Sequence, residues 1–452
     1  APTTERAVSF VPHSEADRRE MLRAVGAESL DELYADLPDA VRLEEPLDLP
    51  ESLSEPEAVR LLEQLARDNP ELVPFAGGGM YDHHVPAAVD HLLRRSEFYT
   101  AYTPYQPEVA QGTLQSIYEF QTMVCELTGM EVANASIYDG ATAAAEAVLM
   151  AMRVRRRDRV VLAGHLHPHY RKVIETYTAG TASEVTRVPA GEDGLLDVDA
   201  AARALDDETA CLVVQNPNFF GLLEELEPAA EAAHEAGALL IAAVADPVSL
   251  ALIRPPGEAG ADLVAGEGQP FGNAMSYGGP ALGLFAAREE HVRRMPGRIA
   301  GATVDAEGRR GYVLTLQTRE QQIRREGATS NICTNQGLNA LAATLYLATV
   351  GREGLRRVAE ASTRHAHWAL DRLERAGVER LFPETSFLRE FAVRTPAGSR
   401  AVLERGLERG LLAGVSLDRF PALDVEDGLV LAFTEKRTRE EIESLVDVLA
   451  GP

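Results

Sequence analysis

The sequence predicts an α/β protein with an open, mainly parallel β-sheet covered by helices. From about residue 71 onward, short apolar runs alternate with stretches whose apolar residues recur at helical spacing. The apolar runs are continuous rather than alternating, which is typical of strands buried on both faces of a parallel sheet. Together these two observations favour a sheet with a helical layer on each face.

Six apolar runs are predicted as strands of this sheet, at 159–163, 184–190, 211–215, 238–245, 261–265 and 281–287. Three segments before and between them are predicted as helices, with the sequences TLQSIYEFQTMVCELTG, ATAAAEAVLMAMRV and LEPAAEAAHEA. This alternation indicates one large α/β domain over residues 71–335.

Residues 1–70 are predicted to form a helical N-terminal arm. Ser14 precedes EADRREMLRAV, and Asp17 follows three positions later. Ser54 and Glu57 stand in the same relation before AVRLLEQLA. Both pairs match the capping box that opens many helices. The proline-bearing stretch DLPDAVRLEEPLDLPES between them is predicted as a connector.

Residues 336–452 are predicted to form a smaller C-terminal α/β domain. It begins with two helices, at 338–350 and 354–377. Strand-like and helical segments then follow in the order FLREFAVR, AVLERGLERG, GLVLAF and EEIESLVDVLA. The predicted organisation is therefore an arm, a large domain and a small domain.

Charge and composition exclude several classes of function. The chain carries 70 acidic and 44 basic residues, a formal charge of −26, which repels nucleic acid and anionic membranes. Its apolar stretches are too short to span a bilayer, so we expect a cytoplasmic protein with no membrane partner. Cys125, Cys211 and Cys333 lie far apart, which predicts neither a disulfide framework nor a cysteine-based metal site.

The sequence YDGATAAAEA places Asp139, Gly140 and Thr142 at the start of a predicted helix. Free amide groups and the helix dipole at such a position can receive a phosphate group. The alternative is that Asp139 is an ordinary N-cap residue. The residues alone leave both interpretations open.

Asp246 follows the apolar run ALLIAAVA, where a carboxylate could pair with the protonated pyridine nitrogen of a pyridoxal cofactor. Next to Pro247, it could instead only turn the chain. The stretch ADLVAGEGQPFG then resembles the strand and loop that carry the cofactor lysine in pyridoxal-phosphate enzymes. Gln269 stands at the lysine position, and its amide nitrogen is not nucleophilic. The pattern indicates a cofactor fold that has lost its covalent anchor.

Several longer segments together resemble the P-protein family, glycine dehydrogenase (decarboxylating), in its two-subunit form, and in particular its subunit 1 type, the half without the cofactor lysine. They are FVPHSEADRREML, AYTPYQPEVAQGTLQSIYEFQTMVCELTGM, YDGATAAAEA, QNPNFFG, GEGQPFGNAMSYGGP, MPGRI and LTLQTREQQIRREGATSNICTNQGLNAL. The C-terminal region matches only in order and length.

The resemblance implies a fold-type-I pyridoxal-phosphate transferase architecture with a degenerate cofactor pocket. It also implies a partner, subunit 2, that holds pyridoxal phosphate covalently. With that partner, the chain would decarboxylate glycine and pass the aminomethyl group to the lipoyl arm of H-protein.

The segment REGATSNIC resembles the loop that reaches a neighbouring chain's cofactor phosphate in this fold. The resemblance therefore implies that Thr329, Ser330 and Asn331 donate hydrogen bonds to the partner's cofactor. The alternative is a cap for the helix that follows, with Asn331 or Thr334 at the N-cap.

Tyr102 and Tyr105 lie among prolines, so neither continues an apolar face. Phenol groups on a rigid loop suit a lining for substrate or for the lipoyl arm. Packing at the surface or at an interface is the alternative.

Two histidine-bearing segments raise the question of a metal. His83 and His84 follow three glycines, and HLHPHY carries His165, His167 and His169. Because no carboxylate or cysteine lies at ligand spacing, we expect no metal and interpret these segments as lining the degenerate pocket.

Two rival functions remain. One is a self-sufficient pyridoxal-phosphate decarboxylase or desulfurase, which would require Lys172 or Lys436, the only lysines, to meet the cofactor. The other is a purely structural partner that contributes nothing to the site.

Overall fold

The structure is a computed structural model that describes residues 12–43, 45, 47–100, 102–395, 397–423, 425 and 427–451. The chain falls into two compact units, Ala1–Pro70 and Glu71–Pro452. The further division of the second unit at residue 335 stays a prediction.

Over residues 12–70, apart from 44 and 46, the first unit contains two α-helices, α1 (Glu15–Val25) and α2 (Glu55–Arg67). Both begin with the predicted capping boxes, in which Ser14 pairs with Asp17 and Ser54 pairs with Glu57. Neither helix buries a side chain. The first unit therefore presents apolar residues that its own helices do not cover.

The second unit alternates strands and helices along the chain. Its elements are, in order, β1 (Val73–Pro74), α3 (Ala87–Leu93), α4 (Gln111–Thr128), β2 (Val132–Ala133), α5 (Gly140–Arg155), β3 (Arg159–Ala163), α6 (Pro168–Thr178), β4 (Glu184–Val188), α7 (Val198–Ala204), β5 (Thr209–Gln215), α8 (Leu226–Glu235), β6 (Leu239–Val244), β7 (Leu263–Glu267), β8 (Gly283–Ala287), β9 (Ile299–Val304), β10 (Arg310–Thr315), α9 (Gln321–Arg324), α10 (Gly337–Arg375), β11 (Glu390–Arg394), α11 (Ser399–Glu408), β12 (Leu411–Leu412), β13 (Val415–Ser416), β14 (Gly428–Ala432) and α12 (Arg439–Ala450).

A seven-stranded sheet organises the second unit, with the strand order β2-β8-β7-β6-β5-β3-β4. Strands β3 to β7 pair in parallel, while β8 runs antiparallel to β7 and to β2. All six predicted strands lie in this sheet, which confirms the predicted class of a mainly parallel α/β fold.

Alternate residues of the central strands pack into helical layers on opposite faces of the sheet. On one face, Val213 and Ile241 join a core with the alanine-rich helix α5. On the other, Val214 and Leu240 join a core with α4, α8 and α10. Because both faces are covered, the strands read as continuous apolar runs in the sequence.

The region after residue 335 contains a three-stranded antiparallel sheet, in the order β11-β14-β13, that packs with α10 and α12 around a separate core. The two helices predicted at 338–350 and 354–377 form one helical run, α10, broken at Gly351. The φ of Gly351 is +61°, which glycine adopts without strain.

The hairpin of β9 and β10 was not predicted from the sequence.

No helix in the described ranges is long and apolar enough to cross a membrane.

Candidate functional site

The N-terminus of helix α5 lies where open α/β sheets bind ligands, beyond the carboxyl ends of the parallel strands. Asp139 is its N-cap residue, and Asp139 Oδ1 accepts the Thr142 N–H at 2.7 Å. The Gly140 N–H donates to Glu267 Oε2 at 3.0 Å. A side chain of this protein thus accepts the hydrogen bond that a bound phosphate would accept.

Glu267 ends strand β7 and is buried. Its second oxygen, Oε1, accepts the N–H groups of Gln269 at 2.8 Å and Leu282 at 2.9 Å. Burial raises the pKa of the Glu267 carboxyl to about 7, although the three amide hydrogen bonds oppose this shift. The carboxyl group is therefore fully hydrogen-bonded yet unusually easy to protonate.

Gln269 is only 1 % exposed, and both ends of its side-chain amide are engaged. Its Nε2 donates to the carbonyl oxygens of Tyr81, at 3.1 Å, and Asn273, at 2.7 Å. Its Oε1 accepts the Tyr81 N–H at 3.0 Å. The residue at the lysine position therefore ties together neighbouring backbone segments.

Asp246 follows strand β6 and pairs with Arg389, which precedes strand β11. Arg389 Nε donates to Asp246 Oδ2 at 2.6 Å, and Nη2 donates to Oδ1 at 2.5 Å. Their exposures are 5 % for Asp246 and 2 % for Arg389. The Arg389 guanidinium also lies 3.9 Å from the centre of the Tyr81 ring. Both oxygens of the carboxylate that would face a pyridine nitrogen are already occupied.

Glu390 extends this buried network. It accepts the Tyr81 hydroxyl at 2.8 Å and the Gly78 N–H at 2.7 Å. Burial raises the pKa of the Glu390 carboxyl to about 7. Tyr81 therefore contacts Gln269 through its backbone, and Arg389 and Glu390 through its side chain, so it connects the predicted pocket residues.

A cavity of about 320 Å³ adjoins the N-terminus of α5, and Asp139, His167, His169, Tyr170 and Glu267 are among its lining residues. His167 Nε2 lies 2.7 Å from the Gly78 carbonyl oxygen, and its Nδ1 accepts the His169 N–H at 3.1 Å. Burial lowers the pKa of His167 to about 4, so its ring is neutral at pH 7.

The remaining histidines of the two segments have protein partners or lie at the surface. His83 Nδ1 lies 2.6 Å from Glu435 Oε2, His165 packs against Phe220, and His84 is exposed. Within the ranges that the structure covers, no group of three or more His, Cys, Asp or Glu residues is placed to hold a metal ion.

The family model described as "Glycine cleavage system P-protein" matches residues 8–449. The chain is 50 % identical to the "Probable glycine dehydrogenase (decarboxylating) subunit 1" of Carboxydothermus hydrogenoformans, over 98 % of this chain and 100 % of the relative. It is 52 % identical to the protein of the same name in Thermomicrobium roseum, over 97 % and 98 % of the two chains.

The chain belongs to the glycine cleavage system P-protein family. A solved structure titled "Crystal structure of glycine decarboxylase (P-protein) of the glycine cleavage system, in inhibitor-bound form" is 45 % identical, with a TM-score of 0.87 over 98 % of this chain and 99 % of that one.

A sphingosine-1-phosphate lyase from Burkholderia pseudomallei shares the fold alone, at 18 % identity over 91 % of this chain and 93 % of that one, with a TM-score of 0.64. The fold is that of the fold-type-I pyridoxal-phosphate enzymes, as the resemblance implied.

The degenerate pocket of this P-protein chain does not fit pyridoxal phosphate. Gln269 supplies no nucleophilic amine, and Arg389 holds both oxygens of Asp246. Glu267 occupies the amide group that would face the phosphate. Each of the three anchoring functions is thus filled by a protein group.

Neither lysine of this P-protein chain replaces the missing anchor. Lys172 is exposed on helix α6, and Lys436 Nζ donates to Asp82 Oδ1 at 2.6 Å. Neither residue lines the 320 Å³ cavity. This geometry gives no support to a self-sufficient pyridoxal-phosphate enzyme.

The loop with Thr329, Ser330 and Asn331 precedes α10 without capping it. The N-cap position is Gln336, which makes no side-chain cap hydrogen bond, so the alternative of a cap at Asn331 or Thr334 is wrong. Thr329 and Ser330 are half-buried and Asn331 is exposed. Ser330 Oγ accepts the Ile332 N–H at 3.0 Å.

Tyr102 and Tyr105 lie together, with ring centres 6.3 Å apart. Tyr102 is 76 % exposed, and Tyr105 accepts a hydrogen bond from Arg298 Nη2 at 2.5 Å. Arg298 is itself buried. Arg298 thus fixes the orientation of one phenol, while the other is free at the surface.

Sequence reasoning missed Tyr81, Glu267, Arg389 and Glu390. Glu267 carries a local signal, because it lies two residues before Gln269 and two residues after the strand predicted at 261–265. Arg389 carries none, because 143 positions separate it from Asp246 in the chain. Only the folded structure brings those two charges together.

We expect the buried Glu267 carboxyl to make stability fall as pH rises. Its pKa is about 7 in the folded chain against 4.5 as the ordinary value, so the folded state binds more protons than the unfolded state between these limits. Its contribution to the free energy of unfolding therefore decreases from about pH 4.5 to about pH 7, by at most roughly 3 kcal/mol, and is constant above that.

Glu267→Gln removes this titration while keeping the side-chain volume. Urea unfolding of both proteins between pH 5 and pH 8 measures the effect, and the variant should gain stability relative to the wild type as pH rises. Parallel stability curves would contradict the predicted titration.

Proposed function

We propose that this chain is subunit 1 of a two-chain glycine dehydrogenase (decarboxylating). Its partner, subunit 2, holds pyridoxal phosphate covalently, and the two chains together decarboxylate glycine and pass the aminomethyl group to the lipoyl arm of H-protein. The named relatives are subunits 1 of the same enzyme, which supports the existence of a partner chain. When bound, the cofactor supplies the electron sink for loss of the carboxyl group.

The main support for this proposal is that side chains of this protein occupy the degenerate pocket. Gln269 stands at the lysine position, Arg389 engages the Asp246 carboxylate that would face the pyridine nitrogen, and Glu267 accepts the Gly140 N–H that a phosphate would accept. A family member that cannot anchor the cofactor contributes to the reaction only through another chain's site. We therefore assign the contribution of this chain to loops that reach the partner.

The loop with Thr329, Ser330 and Asn331 is the first such contribution. These residues present hydroxyl and amide groups, and their side chains are half-buried or exposed. None of them caps helix α10, and the Ser330 hydroxyl accepts only the Ile332 N–H from the backbone of its own loop. We propose that Thr329 and Ser330 donate hydrogen bonds to the phosphate of the partner's cofactor.

The tyrosine loop is the second contribution. We propose that Tyr102 and Tyr105 line the path of glycine or of the lipoyl arm of H-protein. Arg298 fixes Tyr105 by a hydrogen bond and lies 5.3 Å from the centre of its ring. A phenol held in this way contributes a polar group at low entropic cost.

The first unit supports an extended interface with the partner. Leu43, Leu47 and Leu49 are exposed in its connector, and Leu62 and Leu65 are exposed on helix α2. Apolar surface of this extent favours association. We propose an obligate pair, as a heterodimer or a dimer of heterodimers, in the cytoplasm, where its three free cysteines remain reduced.

The double variant Thr329→Ala, Ser330→Ala tests the proposed phosphate contact. Each charge-assisted hydrogen bond is worth roughly 1.5–3 kcal/mol, so the affinity of the mixed subunits for pyridoxal phosphate should fall at least about tenfold. Subunit pairing should survive, because two small hydroxyl groups contribute little apolar area. Titration of pyridoxal phosphate into the mixed subunits gives the affinity, and light scattering gives the pairing.

Thr181→Ala with Ser183→Ala is the matched control, because it removes two hydroxyl groups from a turn after helix α6. It should leave the cofactor affinity unchanged. If the loop variant also keeps its cofactor affinity but melts at a lower temperature, the loop is structural and the site assignment is wrong.

A further inference from the structure

Three backbone amides from separate parts of the second unit converge on one carboxylate. Gly140 N–H comes from the first turn of helix α5, Gln269 N–H from the loop after strand β7, and Leu282 N–H from the residue before strand β8. All three donate to Glu267. Amides arranged in this way at a helix N-terminus form a site for an oxyanion.

We propose that Glu267 determines the ligand specificity of this pocket, because its side chain fills an oxyanion site that would otherwise bind a phosphate group or a small carboxylate. The inference extends the proposed function, since it explains why this chain leaves the phosphate-bearing cofactor to its partner. We call the three amides of Gly140, Gln269 and Leu282 the anion cup.

A fourth hydrogen-bond donor, the Tyr170 hydroxyl, lies beside the anion cup. Tyr170 is 6 % exposed and lines the cavity beside Glu267, and its hydroxyl has no hydrogen-bond partner among the described residues. A side chain at position 140 would collide with this hydroxyl, so the hydroxyl lies directly against the first residue of α5. The missing side chain at Gly140 and the unpartnered hydroxyl of Tyr170 both fit a site where a ligand comes close to the backbone.

Glu267 occupies the space and the hydrogen-bond donors that a ligand of the anion cup would need. Glu267 accepts all three amides of the anion cup and lines the 320 Å³ cavity, whereas Gly140, Gln269 and Leu282 are not among the residues that line it. Asp139, whose Oδ1 is held by the Thr142 amide, faces the same cavity and adds a second negative charge. Shortening Glu267 therefore opens the cup to the cavity and removes the acceptor that competes with a ligand for the three amides.

The test measures binding of inorganic phosphate and of acetate to the full chain and its Glu267→Ala variant. Removal of the carboxylate leaves three buried amides without an acceptor, so the variant should be less stable than the wild type. It should bind inorganic phosphate more tightly than the wild type by roughly tenfold or more, the worth of one charge-assisted hydrogen bond. Its Tm should rise by roughly 2–3 °C for each tenfold increase of phosphate above the dissociation constant.

Three further variants make the outcome specific. Glu267→Gln keeps the side-chain volume and should not bind phosphate. Glu267→Ser also shortens the side chain and provides a second open variant if Glu267→Ala does not fold. Glu224→Ala removes another buried carboxylate, which accepts the Leu196 amide, and it should not respond to phosphate.

Acetate and phosphate distinguish the two sources of an oxyanion. Stabilisation of the open variants by both anions supports the proposal, because the cup then accepts either ligand class. Stabilisation by acetate alone overturns its assignment as a phosphate site. An equal phosphate response in Glu224→Ala, or none in a folded Glu267→Ser, overturns the proposal. The assay needs neither partner nor glycine, so its result is independent of whether the two-subunit function holds.

Discussion

Alone, this chain is expected to give no detectable exchange of labelled bicarbonate into the carboxyl group of glycine, and exchange should appear when subunit 2 is added. The reaction requires a cofactor held next to glycine, and Gln269 cannot hold one covalently. Two groups that could hold it without a covalent bond are also engaged, because Arg389 pairs with Asp246 and Glu267 accepts the Gly140 N–H. The expected difference is between no activity and full activity, measured by the same exchange assay.

The variant Gln269→Lys makes this prediction sharper. If the missing lysine were the only defect, the variant alone would bind pyridoxal phosphate covalently and show absorbance that borohydride removes. We expect no such absorbance, because Glu267 still fills the anion cup and Arg389 still pairs with Asp246. Exchange activity in the isolated wild-type chain would contradict the two-subunit function itself.

The sheet was predictable because its strands are buried on both faces, so their sequences are continuous apolar runs such as RVVLA and CLVVQ. The capping boxes at Ser14 and Ser54 were predictable because each depends on residues three positions apart. The break at Gly351 separates the two helices that the pattern predicted, although the helical run continues across it.

The candidate site was less predictable because its interactions join distant parts of the chain. The sequence indicated Asp139, Asp246 and Gln269 individually, through their positions after strands or before a helix. It gave no information on Arg389, which lies near strand β11, or on Tyr81, which precedes helix α3. Both interpretations of Asp139, as an ordinary N-cap residue and as a residue of a ligand site, also stay open, since it caps α5 and lines the cavity.

The buried pair of Asp246 and Arg389 is expected to dominate the stability of the second unit. Removing one partner leaves an uncompensated charge in the interior, so Arg389→Met should cost about 3–5 kcal/mol of unfolding free energy. Part of this loss comes from the contact of the guanidinium with the Tyr81 ring. Urea unfolding of the full chain measures the change.

The double variant Asp246→Asn, Arg389→Met separates the ion pair from simple packing. With both charges absent, no ion is left unpaired in the interior, so the double variant should recover a large part of the loss. Arg400→Met is the matched control, because the pair of Arg400 with Glu404 is exposed to solvent and should contribute at most about 1 kcal/mol. If Arg389→Met costs no more than Arg400→Met, the pair does not hold strands β6 and β11 together.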